Sequence, residues 1–162
     1  MAVDMFIKID SVKGEAQDKT HKDEIDVLAW SWGMSQSGSM HTGGGGGSGK
    51  ANFQDLSFTK WIDKSSAVLM EYCSNGKQFK EAKMVVRKAG GDNPLEYLII
   101  TMNDVIVTSV STGGSGGEDR LTENVSLNFA GVKTEYQPQK PDGSKDGGPI
   151  KYGWDIAANS KI

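Results

Sequence analysis

The sequence has few of the residues that most catalytic and metal sites require. Its 162 residues include one cysteine and two histidines. Because Cys73 stands alone, no internal disulfide can form. Neither His21 nor His41 has a second histidine or a cysteine at metal-ligand spacing, so no metal or cofactor is expected. His21 lies in the charged run from Asp18 to Glu24, which is typical of a solvated loop.

Excess positive charge and long apolar runs are also absent from the sequence. The net charge is −3 and the sequence pI is about 5.4, so no nucleic-acid partner is expected. No apolar run approaches the ~18 residues of a membrane span. Charged residues interrupt the N-terminal MAVDMFIKID where a signal peptide needs an apolar core. We therefore predict one domain over residues 1–162, without membrane insertion, that is made and folded in the cytoplasm without a conventional signal peptide.

One segment, from Trp61 to Lys77, has the pattern of a helix. Three- and four-residue spacing gives it one apolar stripe, formed by Ser66, Leu69, Tyr72 and Cys73. Asp63 suits the N-cap position, and Gly76 can adopt the left-handed conformation that ends a helix. The pattern predicts a single helix over about residues 64–75. A helix of this length is unstable alone, so it must pack against the rest of the chain.

Most of the remaining chain alternates apolar and polar residues, as β-strands do. The alternating segments are 3–9, 25–34, 52–60, 79–88, 95–110, 121–135 and 150–156. Three long loops, at 35–51, 112–119 and 138–149, are rich in glycine. Seven or so strands with one helix predict a mainly β fold: a small barrel or sandwich of antiparallel strands with the helix docked on it.

Two of the predicted strands each have one face of small, uncharged residues. In the first, Ala29 and Ser31 lie opposite the two tryptophans Trp30 and Trp32. In the second, the neutral face is formed by Asn124, Ser126 and Asn128. Solvated sheet faces usually carry charge, so the neutral character of both faces needs an explanation.

The segment 95–110 is unusual because its middle, YLIITM, is apolar on both faces. A strand of this kind is either covered on both sides or lies at a subunit interface. Leu98, Ile100 and Met102 are therefore candidates for a subunit interface.

The glycine-rich segment Gly44–Lys50, GGGGSGK, matches the first seven positions of a phosphate-binding loop. Ala51 stands where that motif needs Ser or Thr, and the following residues alternate as a strand rather than a helix. An enzyme acting on a phosphorylated substrate through this loop is one alternative. Another is a barrel, monomeric or dimeric, that binds a small ligand under glycine-rich lids. No nucleophile elbow or separated carboxylate pair is found, which favours a non-enzymatic structural or binding role.

The segment Phe6–Gly33, FIKIDSVKGEAQDKTHKDEIDVLAWSWG, resembles the opening of the Hcp family, the haemolysin-coregulated proteins of type VI secretion systems. The end of the chain also resembles this family, with Tyr136, the KPDGS turn, Gly148-Pro149-Ile150 and GWDI at 153–156. The resemblance spans essentially the whole chain. It implies homohexameric rings with an open channel, which stack into the inner tube of a contractile secretion machine. Implied partners are the spike protein, the sheath and effector proteins carried in the channel, and the protein itself would be exported.

The resemblance implies specific roles for the neutral faces, the glycine-rich loops and the apolar strand. The expected channel-lining residues are Ala29, Ser31, Asn124, Ser126 and Asn128. The loops expected to reach a neighbouring ring contain Gly43, Gly44, Gly45 and Ser48, and then Gly114 and Ser115. Leu98, Ile100 and Met102 are expected between subunits. The plainer alternatives are ordinary solvent faces, disordered loops and a strand that the helix covers.

Overall fold

A computed structural model describes residues 2–38, 40–41, 49–89, 91 and 93–162. These residues form ten strands and one helix. The strands are β1 (Val3–Ile9), β2 (Ile25–Ser31), β3 (Met34–Ser35), β4 (Asn52–Phe53), β5 (Leu56–Trp61), β6 (Gln78–Lys88), β7 (Glu96–Thr112), β8 (Thr122–Tyr136), β9 (Ile150–Asp155) and β10 (Ser160–Lys161). The helix α1 (Ser66–Asn75) lies between β5 and β6. The mainly β prediction with one helix is confirmed.

Six antiparallel strands close into a barrel in the order β8-β5-β2-β1-β6-β7, with β7 pairing back to β8. Strand β8 pairs with β7 from Glu123 to Tyr136. On its other side β8 pairs first with β5 and then, beyond Gly131, with β9. Strands β9 and β10 therefore extend the sheet beyond the barrel as a flap.

Helix α1 packs on the barrel through the predicted stripe, with Leu69 and Tyr72 in the hydrophobic core. Cys73 is half-buried and packs against that core. The helix begins at Ser66 rather than near residue 64, because the Asp63 carboxylate accepts a bond from the Ser65 backbone N–H (2.8 Å) in a turn just before it. Gly76 ends the helix at φ 69°, as predicted.

Two predicted strands are interrupted at the same place. The Trp32 indole N–H donates to the Gln54 carbonyl oxygen (3.0 Å), and the Gln54 backbone N–H donates to the Gly33 carbonyl oxygen (2.9 Å). These bonds separate β2 from β3 and β4 from β5, and β3 and β4 pair with each other as a separate two-stranded sheet. Pattern reasoning also missed β10, since two residues are too few to show alternation.

Residues 10–24, here called the strap, lie across the outside of β1 and β6. The Asp10 and Glu81 backbones are hydrogen-bonded (3.2 Å), and Val12 and Ala16 are buried. The strap folds back on itself, since the Gly14 N–H donates to the Asp23 carbonyl oxygen at 2.8 Å. The strap therefore covers the wall of the barrel formed by β1 and β6.

Gly14→Ala is expected to destabilise the protein. A β-carbon there would lie 2.4 Å from the Glu24 carbonyl oxygen and 2.8 Å from Ile25 Cγ1. Backbone must shift to relieve such contacts, at a cost of about 1–3 kcal/mol. Urea unfolding should show the loss, and Gly38→Ala is the control because no heavy atom of the described residues lies within 4 Å of its β-carbon. Equal midpoints for the two variants would contradict the close approach seen at Gly14.

Candidate functional site

One wall of the barrel exposes small, uncharged side chains from four adjacent strands, β2, β5, β8 and β7. The strand register pairs Ala29 with Thr59 and Ser31 with Ser57. It continues across β5, β8 and β7 through the pairs Ser57–Ser126, Thr59–Asn124, Ser109–Ser126 and Ser111–Asn124. We call this wall the small-residue face: Ala29, Ser31, Ser57, Thr59, Ser109, Ser111, Asn124, Ser126 and Asn128. The five residues predicted from the sequence to line a channel all lie on it.

Hydrogen bonds between strands fix the side chains of the small-residue face. The Ser57 and Ser126 hydroxyls are 2.9 Å apart, and the Thr59 hydroxyl donates to Asn124 Oδ1 at 2.6 Å. Ala29 and Ser31 border a shallow depression of about 240 Å³ beside these pairs. Small side chains held by bonds between strands therefore make up most of this wall, and Trp30 and Phe58 also border the depression.

Asp55 is the charged residue at one end of this face, in the turn before β5. Its carboxylate accepts bonds from the Thr108 hydroxyl (2.7 Å) and from Asn128 Nδ2 (2.8 Å). The side chain ties this turn to β7 and β8. Sequence reasoning missed this role because the three residues are far apart in the chain.

A buried ionic cluster lies on the inner side of the same strands. The side chains of Lys60 and Glu123, paired across β5 and β8, are 0% and 1% exposed, and Lys60 Nζ lies 2.5 Å from Glu123 Oε1. Lys60 Nζ is also 3.0 Å from Asp63 Oδ1, and the Ser66 hydroxyl donates to Glu123 Oε1 at 2.6 Å. The cluster thus joins β5 and β8 to the start of α1.

A second ionic cluster holds the strap to the outer wall. The Arg87 guanidinium donates to the Asp18 carboxylate, and this bond lowers the pKa of Asp18 to about 2. Arg87 also lies over the Phe6 ring, 5.0 Å from its centroid. His21 stacks on Phe6 and is only 6% exposed, so its prediction as a residue of a solvated loop is wrong. His21 is buried by contacts between the strap and the barrel wall, and contacts between such distant segments cannot be predicted from the local sequence pattern.

The predicted interface residues separate into two groups. Ile100 and Met102 belong to the hydrophobic core of this chain, so their prediction as subunit contacts is wrong. Leu98 is half-buried and pairs with Tyr136, which in turn pairs with Ile150. Tyr136 is 47% exposed and Ile150 is 65% exposed. Leu98, Tyr136 and Ile150 form an apolar row across β7, β8 and β9.

Of the predicted loop residues, Gly114 and Ser115 are exposed between β7 and β8. Gly43, Gly44, Gly45 and Ser48 lie outside the described residues. Lys50, at the end of the phosphate-loop-like segment, leads into β4 and not into a helix, which removes the structural context that this motif requires.

In the described part of the chain, no helix is long and apolar enough to cross a membrane. Over the same residues, no group of three or more His, Cys, Asp or Glu side chains is arranged to hold a metal ion.

The closed barrel with its flap, the small-residue face and the apolar row define a small antiparallel β-barrel protein whose exposed features suit contact with other macromolecules. Comparison with known proteins identifies the family to which this barrel belongs. The family model described as "Type VI secretion system effector, Hcp" matches residues 6–136. The chain belongs to the Hcp family of type VI secretion proteins, as the sequence resemblance predicted.

Individual relatives agree with this assignment over nearly the full length. Protein hcp1 of Pseudomonas aeruginosa is 73% identical over 159 residues, covering 98% of both chains. The crystal structure of Hcp1 from Salmonella typhimurium is 44% identical, with a TM-score of 0.82 and 100% of both chains covered. A structure described as a type six secretion system protein is 33% identical with a TM-score of 0.92, covering 99% of this chain and 100% of the other.

Proposed function

We propose that this protein is a non-enzymatic, ring-forming subunit of the inner tube of a type VI secretion system. In this proposal six copies form a ring, rings stack into a tube, and the small-residue face lines the channel. The ring carries and stabilises effector proteins and is itself exported with them. The observation that carries the proposal is that four adjacent strands together form a neutral, exposed wall.

The chemistry of the small-residue face supports a channel for varied cargo. Hydroxyl and amide groups such as those of Ser126 and Asn124 can donate and accept hydrogen bonds. The residues of this face are small and uncharged, so it would hold cargo by many weak contacts and still release it. Its hydrogen-bonded pairs also keep the wall smooth, since Ser57 and Thr59 are engaged across the strands.

The apolar row supports contact between subunits. Exposed apolar side chains on neighbouring strands are typical of protein interfaces. In a closed ring each subunit offers two different surfaces, so the row of one copy would meet another part of the next copy. Gly114 and Ser115, in an exposed loop, are proposed to contact the adjacent ring, while the spike protein and the sheath would contact the assembled tube.

The native mass of the purified protein tests the proposal. Native mass spectrometry should give six times the mass of the 17.4 kDa chain, and negative-stain images of the same sample should show annular particles. A monomer without rings at any concentration would overturn the proposal and favour a small-ligand-binding barrel. Effector carriage is tested on the same rings. Ser31→Tyr should lower the amount of co-purifying effector protein, whereas Ser160→Tyr on β10 should not.

A further inference from the structure

His21 joins the strap to the barrel, and the proposed function gives this residue no role. Its Nδ1 lies 3.0 Å from Glu24 Oε2 in the strap, and its Nε2 lies 2.7 Å from Glu96 Oε1 at the start of β7. The ring stacks on Phe6 of β1, with centroids 4.6 Å apart and planes 12° apart. One imidazole therefore contacts a carboxylate through each nitrogen.

Both contacts require two protons on the ring. A carboxylate only accepts hydrogen bonds, whereas a neutral imidazole has one N–H donor and one acceptor nitrogen. The neutral ring can therefore satisfy Glu24 or Glu96 but not both. The doubly protonated ring donates to both, in charge-assisted bonds that are stronger than neutral ones. Histidine is the side chain that changes charge between about pH 5 and 8.

The charged groups around the ring come from every element packed against it. Glu24 and Asp18 belong to the strap, and the Asp18 carboxylate accepts from the His21 backbone N–H at 3.2 Å. On the barrel wall, Arg87 of β6 lies over Phe6 and donates to Asp4 of β1. Asp26 of β2 is paired with Phe6, and Glu96 of β7 is paired with Arg87. Asp18 remains ionised above pH 5 because Arg87 holds its pKa at about 2. Burial raises the pKa of Asp26, which makes it the group whose effect must be separated from that of His21.

We propose that the strap is a proton-controlled latch, closed when His21 carries two protons and bonds Glu24 and Glu96 together. Loss of one proton leaves one of the two carboxylates facing an acceptor nitrogen and removes the positive charge of the ring, so the contact between the strap and β7 is weakened. The Arg87–Asp18 contact still holds the strap loosely, so opening is local and the barrel stays folded. Opening uncovers Phe6 and Val85, which are buried on the outer wall. The latch depends only on contacts within one chain and does not require ring assembly.

Amide hydrogen exchange measures the latch on the intact protein. The Gly14, Ala16 and Asp23 amides donate within the strap at 2.8–3.0 Å. They report its opening because a two-stranded segment that has left the barrel is marginally stable in water and exposes its amides to exchange. Their protection factors, corrected for intrinsic exchange, should fall roughly tenfold between pH 5.5 and 8.5, as expected for loss of a charged hydrogen bond. The fall should accompany the loss of one of the two ring N–H groups of His21 in a nitrogen–proton correlation spectrum. His41→Asn assigns the two histidines and should leave the strap unchanged.

Two variants with opposite expected effects separate the latch from a merely structural histidine. His21→Gln should leave the strap poorly protected at both pH values, although Asp26 is still present. Glu96→Gln should keep the strap protected at both pH values, because the introduced amide can donate to the acceptor nitrogen of a neutral ring. Strap protection that does not change with pH in the wild type would overturn the proposal. An unaltered pH dependence in either variant would also overturn it.

Discussion

Lys60→Met should lower the free energy of unfolding by about 3–5 kcal/mol, the range for removing one partner of a buried ion pair. Lys60 is fully buried and has Glu123 and Asp63 as its anionic partners. Without the ammonium group, the Glu123 carboxylate would be buried with the Ser66 hydroxyl as its remaining donor. Among the described residues, its second oxygen, Oε2, already has no hydrogen-bond partner. Urea unfolding at one fixed protein concentration measures the loss, since assembly alters apparent stability.

A double variant and an exposed ion pair supply the controls for this prediction. Lys60→Met combined with Glu123→Leu should recover much of the loss, because both buried charges are then removed and the volume is kept. Lys151→Met breaks the pair with Glu135, whose side chains are 3.5 Å apart and well exposed, and should change stability by less than about 1 kcal/mol. A double variant less stable than Lys60→Met alone would contradict this explanation, because it would show that the Glu123 carboxylate stabilises the fold even without the Lys60 ammonium group.

Ile150→Lys should convert the proposed six-fold ring into single chains. The Ile150 side chain is 65% exposed, so the substitution should not disturb folding of the chain. In a ring, the same change buries a cation at each of the interfaces, and truncation of a hot-spot residue near the centre of an interface costs about 2 kcal/mol or more. Native mass spectrometry before and after the substitution measures the change.

Met70→Lys is the matched control for Ile150→Lys. Met70 is also an exposed apolar residue, but it lies on α1 and not on one of the three strands that carry the apolar row. The ring should survive this substitution. Rings that persist in Ile150→Lys while Met70→Lys disrupts them would place the subunit contact on the helix instead of the row.

Wherever a strand is regular, the alternation of apolar and polar residues correctly predicted which side chains share one face of the sheet. Asn124, Ser126 and Asn128 lie on one side of β8, with Val125 and Leu127 on the other, because side chains alternate strictly along a paired strand. Leu98, Ile100 and Met102 were correctly grouped on one side of β7. Alternation could not say which side is the core, so two of the three were assigned to the wrong environment.

Several residues have roles that sequence analysis missed, because those roles depend on contacts between segments that are far apart in the chain. His21 and Arg87 are buried only because the strap crosses β1 and β6, and Asp55 gains its role from β7 and β8. The charge of Lys60 gave no sign of burial, since lysine is almost never fully buried unless paired. Its partner Glu123 lies 63 residues away and is recognised only when β5 and β8 are aligned.

The pairing of β8 on both sides has a mechanical consequence. Its ladder with β7 runs almost the whole length of the strand, and its other edge is shared between β5 and β9. A load along β8 must shear these transverse hydrogen bonds together, whereas a load across a hairpin opens them one at a time. Survival under force is governed by the rate of unfolding and not by equilibrium stability. In the proposed tube subunit, β8 would be the element that resists a load along its own direction.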